Sequence, residues 1–129
     1  MTILLMLVAG VVAVLLRYWG LDYFNNLFQI KSGFNASLLL VNVLGSFLIG
    51  IAYVIKSKSP ESSDWVYVIF MVGFLGAFTT FSSYSLELLR SVLDKNYALA
   101  LASFASHNIL GFLFCFAGYW LTQRFYNIV

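Results

Sequence analysis

A run of hydroxyl and aromatic side chains, Gly73-Phe-Leu-Gly-Ala-Phe-Thr-Thr-Phe-Ser-Ser-Tyr-Ser85, occupies the middle of a long apolar segment. Two glycines, two adjacent threonines and three serines stand there, where a lipid-facing helix would carry leucine, isoleucine and valine. Backbone at bilayer depth must be hydrogen-bonded internally, so irregular structure survives only when buried in protein or lining a wet cavity. Polar breaks inside membrane helices are where transported substrates or ions bind. Phe81 and Tyr84 are three residues apart and share a helix face, interleaved with Thr79, Thr80, Ser82 and Ser83. An aromatic ring carries a positive edge, and edges aimed at a passage stabilise an anion. Amides exposed where the helix restarts add positive potential. Carbonyls exposed at the break suit a hard cation such as Na+ instead. The segment can serve both ions at different atoms. No span contains proline, so the break must come from glycines and backbone-bonding hydroxyls.

Other polar residues also sit in apolar surroundings. Asn42 shares a face with Gly45, Ser46 and Ile49, which reads as interhelical hydrogen bonding or as an amide donor pointing into a pore. Arg17 lies deep in the first apolar segment, where an arginine costs about 2.5–3.5 kcal/mol and must snorkel or find a partner. Ala9, Ala13 and Arg17 fall on one stripe and predict a close helix contact leading to the charge. That charge either reaches the interface near Asp22 or lipid phosphate, or gathers anions at a vestibule. Glu87 and Arg90 are spaced to form an ion pair at the membrane edge. Ser103, His107 and Gly111 align on a face that Cys115 and Gly118 continue. Small residues there predict close helix packing, with His107 as a hydrogen-bonded packing residue.

Enzymatic chemistry finds no support. There is one histidine, no His/Cys/Asp cluster with metal-ligand spacing, and no nucleophile–base motif. Gly73-x-x-Gly76 lacks the strand and lysine of a phosphate loop. The lone Cys115 excludes an intrachain disulfide.

The elements that must hold these residues follow from composition. Of 129 residues, 62% are hydrophobic and 9% charged, and mean hydropathy is +0.93. Soluble domains run at about 45–50% apolar and about 25% charged, so this is an integral membrane protein. At roughly 20 residues per crossing, the chain holds four spans in a single domain covering 1–129, near 3–23, 35–55, 65–92 and 97–124. The first span reads as a retained helix and not as a signal peptide. Asn25, Asn26, Lys31 and Gly33 fall in the first connection, and Lys56 to Asp64 forms the one clearly hydrophilic loop. Asp94, Lys95 and Asn96 turn the chain into the last span. The net charge of +2 is small and scattered, which argues against nucleic-acid partners. Lys56, Lys58 and Arg124 on one side nearly balance Lys31, Lys95 and Arg90 on the other. So weak a bias permits insertion in both orientations, and hence an antiparallel dimer.

A four-span, charge-balanced chain whose third helix reads Gly-Phe-Leu-Gly-Ala-Phe-Thr-Thr-Phe-Ser-Ser-Tyr-Ser-Leu-Glu resembles the Fluc (CrcB) fluoride ion channels. Their third helix carries Gly-Phe-x-Gly-x-x-Thr-Thr-Phe-Ser-Thr-Phe-Ser-x-Glu. Arg17-Tyr18, Val41-Asn42-Val43-Leu44-Gly45 and Asn108-Ile-Leu-Gly111 match weaker motifs of the other helices, so the resemblance covers the full length. It implies an all-α membrane protein with four transmembrane helices per subunit, the third broken mid-membrane, in an antiparallel, dual-topology dimer with two pores. Fluoride would leave the cytoplasm passively across the plasma membrane, selected over chloride. Phe81 and Tyr84 would present ring edges to the fluoride path, with Asn42 as pore amide, Thr80 and Ser83 as hydroxyls, and Asn108 on the polar track of the fourth helix. Backbone carbonyls of Gly76 and Thr79 from both subunits would hold a central structural Na+, and Arg17 would stand at the vestibule.

The chain departs from the family pattern at several positions. Tyr84 stands where phenylalanine is usual, and Phe112 where a small or hydroxylated residue is frequent. The first helix reads Ala9-Gly10-Val11-Val12-Ala13, and Ala36-Ser37 replaces Gly-Thr. Some family members pair non-identical subunits, so a heterodimer stands beside the homodimer. A proton-coupled small multidrug exporter, also a four-helix dual-topology dimer, needs an embedded carboxylate early in the chain. This chain offers Arg17 and a near-interface Asp22 there. A non-transporting accessory subunit is the remaining alternative.

Overall fold

The computed structural model describes residues 1–28, 34–58 and 65–127. All regular structure among them is helical: α1 (Thr2–Phe28), α2 (Ala36–Lys58), α3 (Val66–Leu75), α4 (Gly76–Phe78), α5 (Phe81–Leu93) and α6 (Tyr97–Tyr126). Four stretches are long and apolar enough to cross a membrane: Thr2–Asn26, Ala36–Lys58, Val66–Leu93 and Tyr97–Tyr126. The third is the composite of α3, α4 and α5. Helix α1 runs past the expected end of the first span and takes in Asn25 and Asn26, because no proline or late glycine stops it. Asn25 then serves the next helix, its Oδ1 accepting from Ser37 Oγ at 2.7 Å. Lys31, Gly33 and most of the hydrophilic loop fall outside the described residues.

Lipid supplies no hydrophobic drive between helices, so close packing depends on small residues. Gly50 and Gly118 show this most directly. A Cβ added to Gly50 would run into the Cys115 carbonyl, and one added to Gly118 into the Phe47 carbonyl. Helices α2 and α6 therefore meet backbone to backbone, on the small-residue face expected from Cys115 and Gly118. Ala13, on the alanine stripe of α1, is fully buried. Many other large side chains of α1, from Ile3 to Trp19, are exposed on the subunit surface, as lipid-facing residues must be. Lys56 Nζ lies 3.9 Å from the centroid of the Tyr67 ring, and the Arg124 guanidinium 5.4 Å from that of Trp120.

The third span is not a uniform helix. In α3 the turns are wider than α-helical, and the Gly76 N–H closes the segment on the Met71 carbonyl, five residues back. Phe70, Phe74 and Phe78 stack along one side, with centroids 5.5 and 5.7 Å apart. After α4 the chain leaves the helix: Thr79 adopts φ −82°, ψ 155° and Thr80 φ −143°, ψ 104°. Helix α5 restarts at Phe81. It ends in a tight cap, with the Asn96 N–H donating to the Ser91 carbonyl at 2.9 Å and the Lys95 N–H to that of Val92 at 3.0 Å. Lys95 holds the left-handed position at φ 57°. Asn96 Oδ1 in turn caps α6 by accepting from the Leu99 N–H at 3.2 Å.

Candidate functional site

The break at Thr79–Thr80 leaves helical partners unmatched, and the structure supplies replacements. In a continuous helix the Thr80 N–H would donate to the Gly76 carbonyl. Here it donates to Asn42 Oδ1 at 2.9 Å, while Asn42 Nδ2 donates back to the Thr80 carbonyl at 3.4 Å. The Ser83 N–H, which would have bonded the Thr79 carbonyl, donates to Thr80 Oγ1 at 3.3 Å. The same Oγ1 meets Ser83 Oγ at 2.9 Å and Ser82 Oγ at 3.3 Å. The Thr79 N–H and hydroxyl both donate to the Leu75 carbonyl, at 3.1 and 3.0 Å. Two amides are thus diverted, and the Gly76 and Thr79 carbonyls they would have bonded are released. Thr80, only 7% exposed, acts as the N-cap of α5, and the asparagine of α2 holds its backbone in place.

The released segment borders a cavity of about 320 Å³. Asn42, Gly76, Thr79, Phe81, Tyr84 and Asn108 line it, with Ser46 and His107 among the others. Six of the residues expected to hold fluoride or Na+ thus converge on one space from α2, the third span and α6. Phe81 and Tyr84 meet edge to face, with centroids 5.6 Å apart and planes at 62°. Tyr84 is 6% exposed and Phe81 78%. Tyr84 stacks on His107 at 4.5 Å, and its hydroxyl accepts from Asn108 Nδ2 at 3.3 Å. The other expected residues lie elsewhere. Thr80 is the buried cap next to the cavity, and Ser83 lines a second cavity of about 450 Å³ with Glu87, Arg90 and Asp94. Arg17 is half-buried on α1, lines neither cavity, and has no ion pair among the described residues.

Glu87 and Arg90 form no ion pair among the described residues, although their spacing on α5 allows one. Glu87 Oε1 instead accepts from Ser103 Oγ of α6 at 3.1 Å. A neighbouring helix offers a fixed hydroxyl there, whereas an exposed arginine gains little from a partner beside water or headgroups. The Ser103 carbonyl meets His107 Nδ1 at 3.0 Å. Glu87 Oε2 and His107 Nε2 are buried without partners. His107 is therefore more than the packing residue expected: it holds its own helix by Nδ1 and faces the cavity beside Tyr84. Its alignment with Ser103 and Gly111 was the available signal, but the stack on Tyr84 joins residues of two helices, which spacing within α6 cannot reveal.

Residues 4–119 match the family described as CrcB-like protein, Camphor Resistance (CrcB). The chain is 34% identical to a protein of Haemophilus ducreyi named Fluoride-specific ion channel FluC, over 98% of this chain and 99% of that one. It is 35% identical to Fluoride-specific ion channel FluC 1 of Staphylococcus haemolyticus, over 91% and 96% of the two chains. It is 36% identical to Fluoride-specific ion channel FluC 2 of Prochlorococcus marinus, over 75% and 76%.

Proposed function

The chain belongs to the CrcB-like family, and from that premise we propose that the broken third span and its cavity form the fluoride path of a passive channel. The protein is a multi-pass integral membrane protein and a transporter, not an enzyme. It carries fluoride across the plasma membrane and lowers fluoride in the cytoplasm, as befits relatives named fluoride-specific ion channels. The observation that carries the reading is the pair of hydrogen bonds exchanged by Asn42 and Thr80, which keeps the third span open beside the cavity. Around that cavity stand aromatic rings, two amides and hydroxyls, and no carboxylate. Such a lining can replace the water around a small anion without trapping it by full charge.

The proposed assembly is an antiparallel dimer with two pores. Its support is the near-even division of Lys and Arg between the two ends and the exposure of Phe81 and Phe112 on a single subunit, which a second copy would cover. A central Na+ fits the donor set, since the diverted amides leave the Gly76 and Thr79 carbonyls free to coordinate a hard cation. Bound there, it would supply positive charge that holds two subunits together. Pairing with a non-identical subunit is the second arrangement. Tyr84 makes the aromatic pair unsymmetrical, and two relatives bear the numbered names FluC 1 and FluC 2.

Purified protein in liposomes loaded with potassium fluoride or potassium chloride tests the reading, with a fluoride electrode following efflux after valinomycin. The expected result is rapid fluoride loss with chloride retained. Fluoride retention by this chain alone, relieved by a second subunit, would replace the homodimer with the heterodimer. Equal loss of both anions would refute selectivity.

A further inference from the structure

We propose that the Tyr84 hydroxyl donates a hydrogen bond to the anion in the cavity, and that Asn108 is the residue that positions it. This rests on the reading of the cavity as the anion path. The argument begins at Asn108. Its amide nitrogen lies 2.7 Å from the Phe104 carbonyl, which can only accept, so the nitrogen and not the oxygen must occupy that position. The second hydrogen of the same nitrogen is then directed to Tyr84 Oη at 3.3 Å. A phenol has one hydrogen and can also accept. With Asn108 donating to the oxygen, the Tyr84 hydrogen must point elsewhere.

Among the described residues no acceptor is hydrogen-bonded to the Tyr84 hydroxyl. His107 is stacked on the Tyr84 ring with planes 30° apart, and its Nε2 has no partner. Nδ1 of that imidazole faces the Ser103 carbonyl and so carries the ring hydrogen in the neutral form, leaving a lone pair on Nε2. Of these two side chains on the cavity wall, only Tyr84 therefore offers a donor to an anion. Tyr84 is 6% exposed and held between Phe81 and His107, so its hydroxyl is pre-set and needs no ordering when an ion arrives. The Phe81 ring edge is a weak donor by comparison, and a hydroxyl bonded to an anion is among the stronger neutral donors. Tyr84 becomes a specificity-determining ligand, and Asn108 acts through it.

The test is a double-mutant cycle on reconstituted protein, reading the fluoride concentration at half-maximal efflux, the maximal rate and the fluoride-to-chloride ratio for wild type, Tyr84→Phe, Asn108→Leu and the double variant. Tyr84→Phe keeps the ring and should raise half-saturating fluoride by about tenfold, the value of one charge-assisted hydrogen bond. Asn108→Leu should raise it severalfold in wild type and not at all in the Tyr84→Phe background. Unchanged half-saturation in Tyr84→Phe, or an Asn108→Leu effect equal in both backgrounds, would overturn the proposal. A loss of maximal rate alone, with half-saturation constant, would also overturn it by assigning the residues a structural role. Absence of fluoride efflux in the wild type would instead bring down the channel reading on which it rests. Size-exclusion profiles of all four proteins establish that each variant is folded.

Discussion

Asn42 and Thr80, 38 residues apart in sequence, exchange two hydrogen bonds: the asparagine carbonyl takes the threonine N–H at 2.9 Å, and its amide gives to the threonine carbonyl at 3.4 Å. One side chain thus replaces the helical acceptor that the Thr80 N–H loses at the break, and adds a donor to the carbonyl that opens α5. Each buried backbone group left unpaired costs about 1–3 kcal/mol. The asparagine is what makes an interrupted helix tolerable at bilayer depth.

Asn42→Ala should therefore lower stability by about 1–3 kcal/mol, from the orphaned Thr80 N–H, and abolish fluoride efflux as the break closes or collapses. Asn42→Asp keeps the acceptor but loses the donor, and should fall between alanine and wild type. Thermal unfolding in detergent, monitored by tryptophan fluorescence, ranks the three proteins. Wild-type stability in Asn42→Ala would contradict the clamp.

Thr80 caps α5 through Oγ1, so Thr80→Ser should be near neutral and Thr80→Val should cost about 1 kcal/mol. The same melting experiment distinguishes them. Valine is close to threonine in volume, so a loss confined to Thr80→Val reports the hydroxyl and not the packing.

Gly50→Ala and Gly118→Ala should each force α2 and α6 apart, since the added Cβ meets backbone that cannot rotate away. A cost of about 1–3 kcal/mol is expected for such overpacking. Gly20→Ala is the control, because nothing lies within 4 Å of its Cβ position. It should leave the melting temperature unchanged or slightly raised.

Lys95 occupies a left-handed conformation at φ 57°, which favours glycine. Lys95→Gly should stabilise the protein by up to about 1 kcal/mol by relieving the Cβ strain. A lower melting temperature would show that the lysine side chain contributes more than its backbone costs.

Much of this was legible in the chain, for physical reasons that differ from residue to residue. Hydropathy marks the spans because the lipid core admits little else, and Thr79-Thr80 marks the break because lipid forbids unpaired backbone. The wide winding of α3 was not legible: Val66-Tyr-Val-Ile-Phe-Met-Val-Gly-Phe-Leu75 is apolar throughout and has no face to report its period. Asn25 and Asn26 read as a connection by composition, yet tertiary contact with Ser37 draws Asn25 into the packed helix end. Glu87 read as Arg90's partner because spacing shows only neighbours on one helix, and Ser103 lies on another. The same limit hid the stack of His107 on Tyr84. Asn42 was recognisable as a polar residue needing partners, but only the fold identifies the backbone of Thr80 as the partner.

The central claim is that fluoride passes through the cavity bounded by Phe81, Tyr84, Asn42 and Asn108. Fluoride efflux from liposomes containing wild type or Phe81→Ile tests it most directly, because isoleucine fills similar space but has no ring edge. We predict rapid fluoride efflux from the wild type and at least a tenfold lower rate from Phe81→Ile, with both proteins folded and both retaining chloride. Equal fluoride efflux from the two proteins would contradict the account.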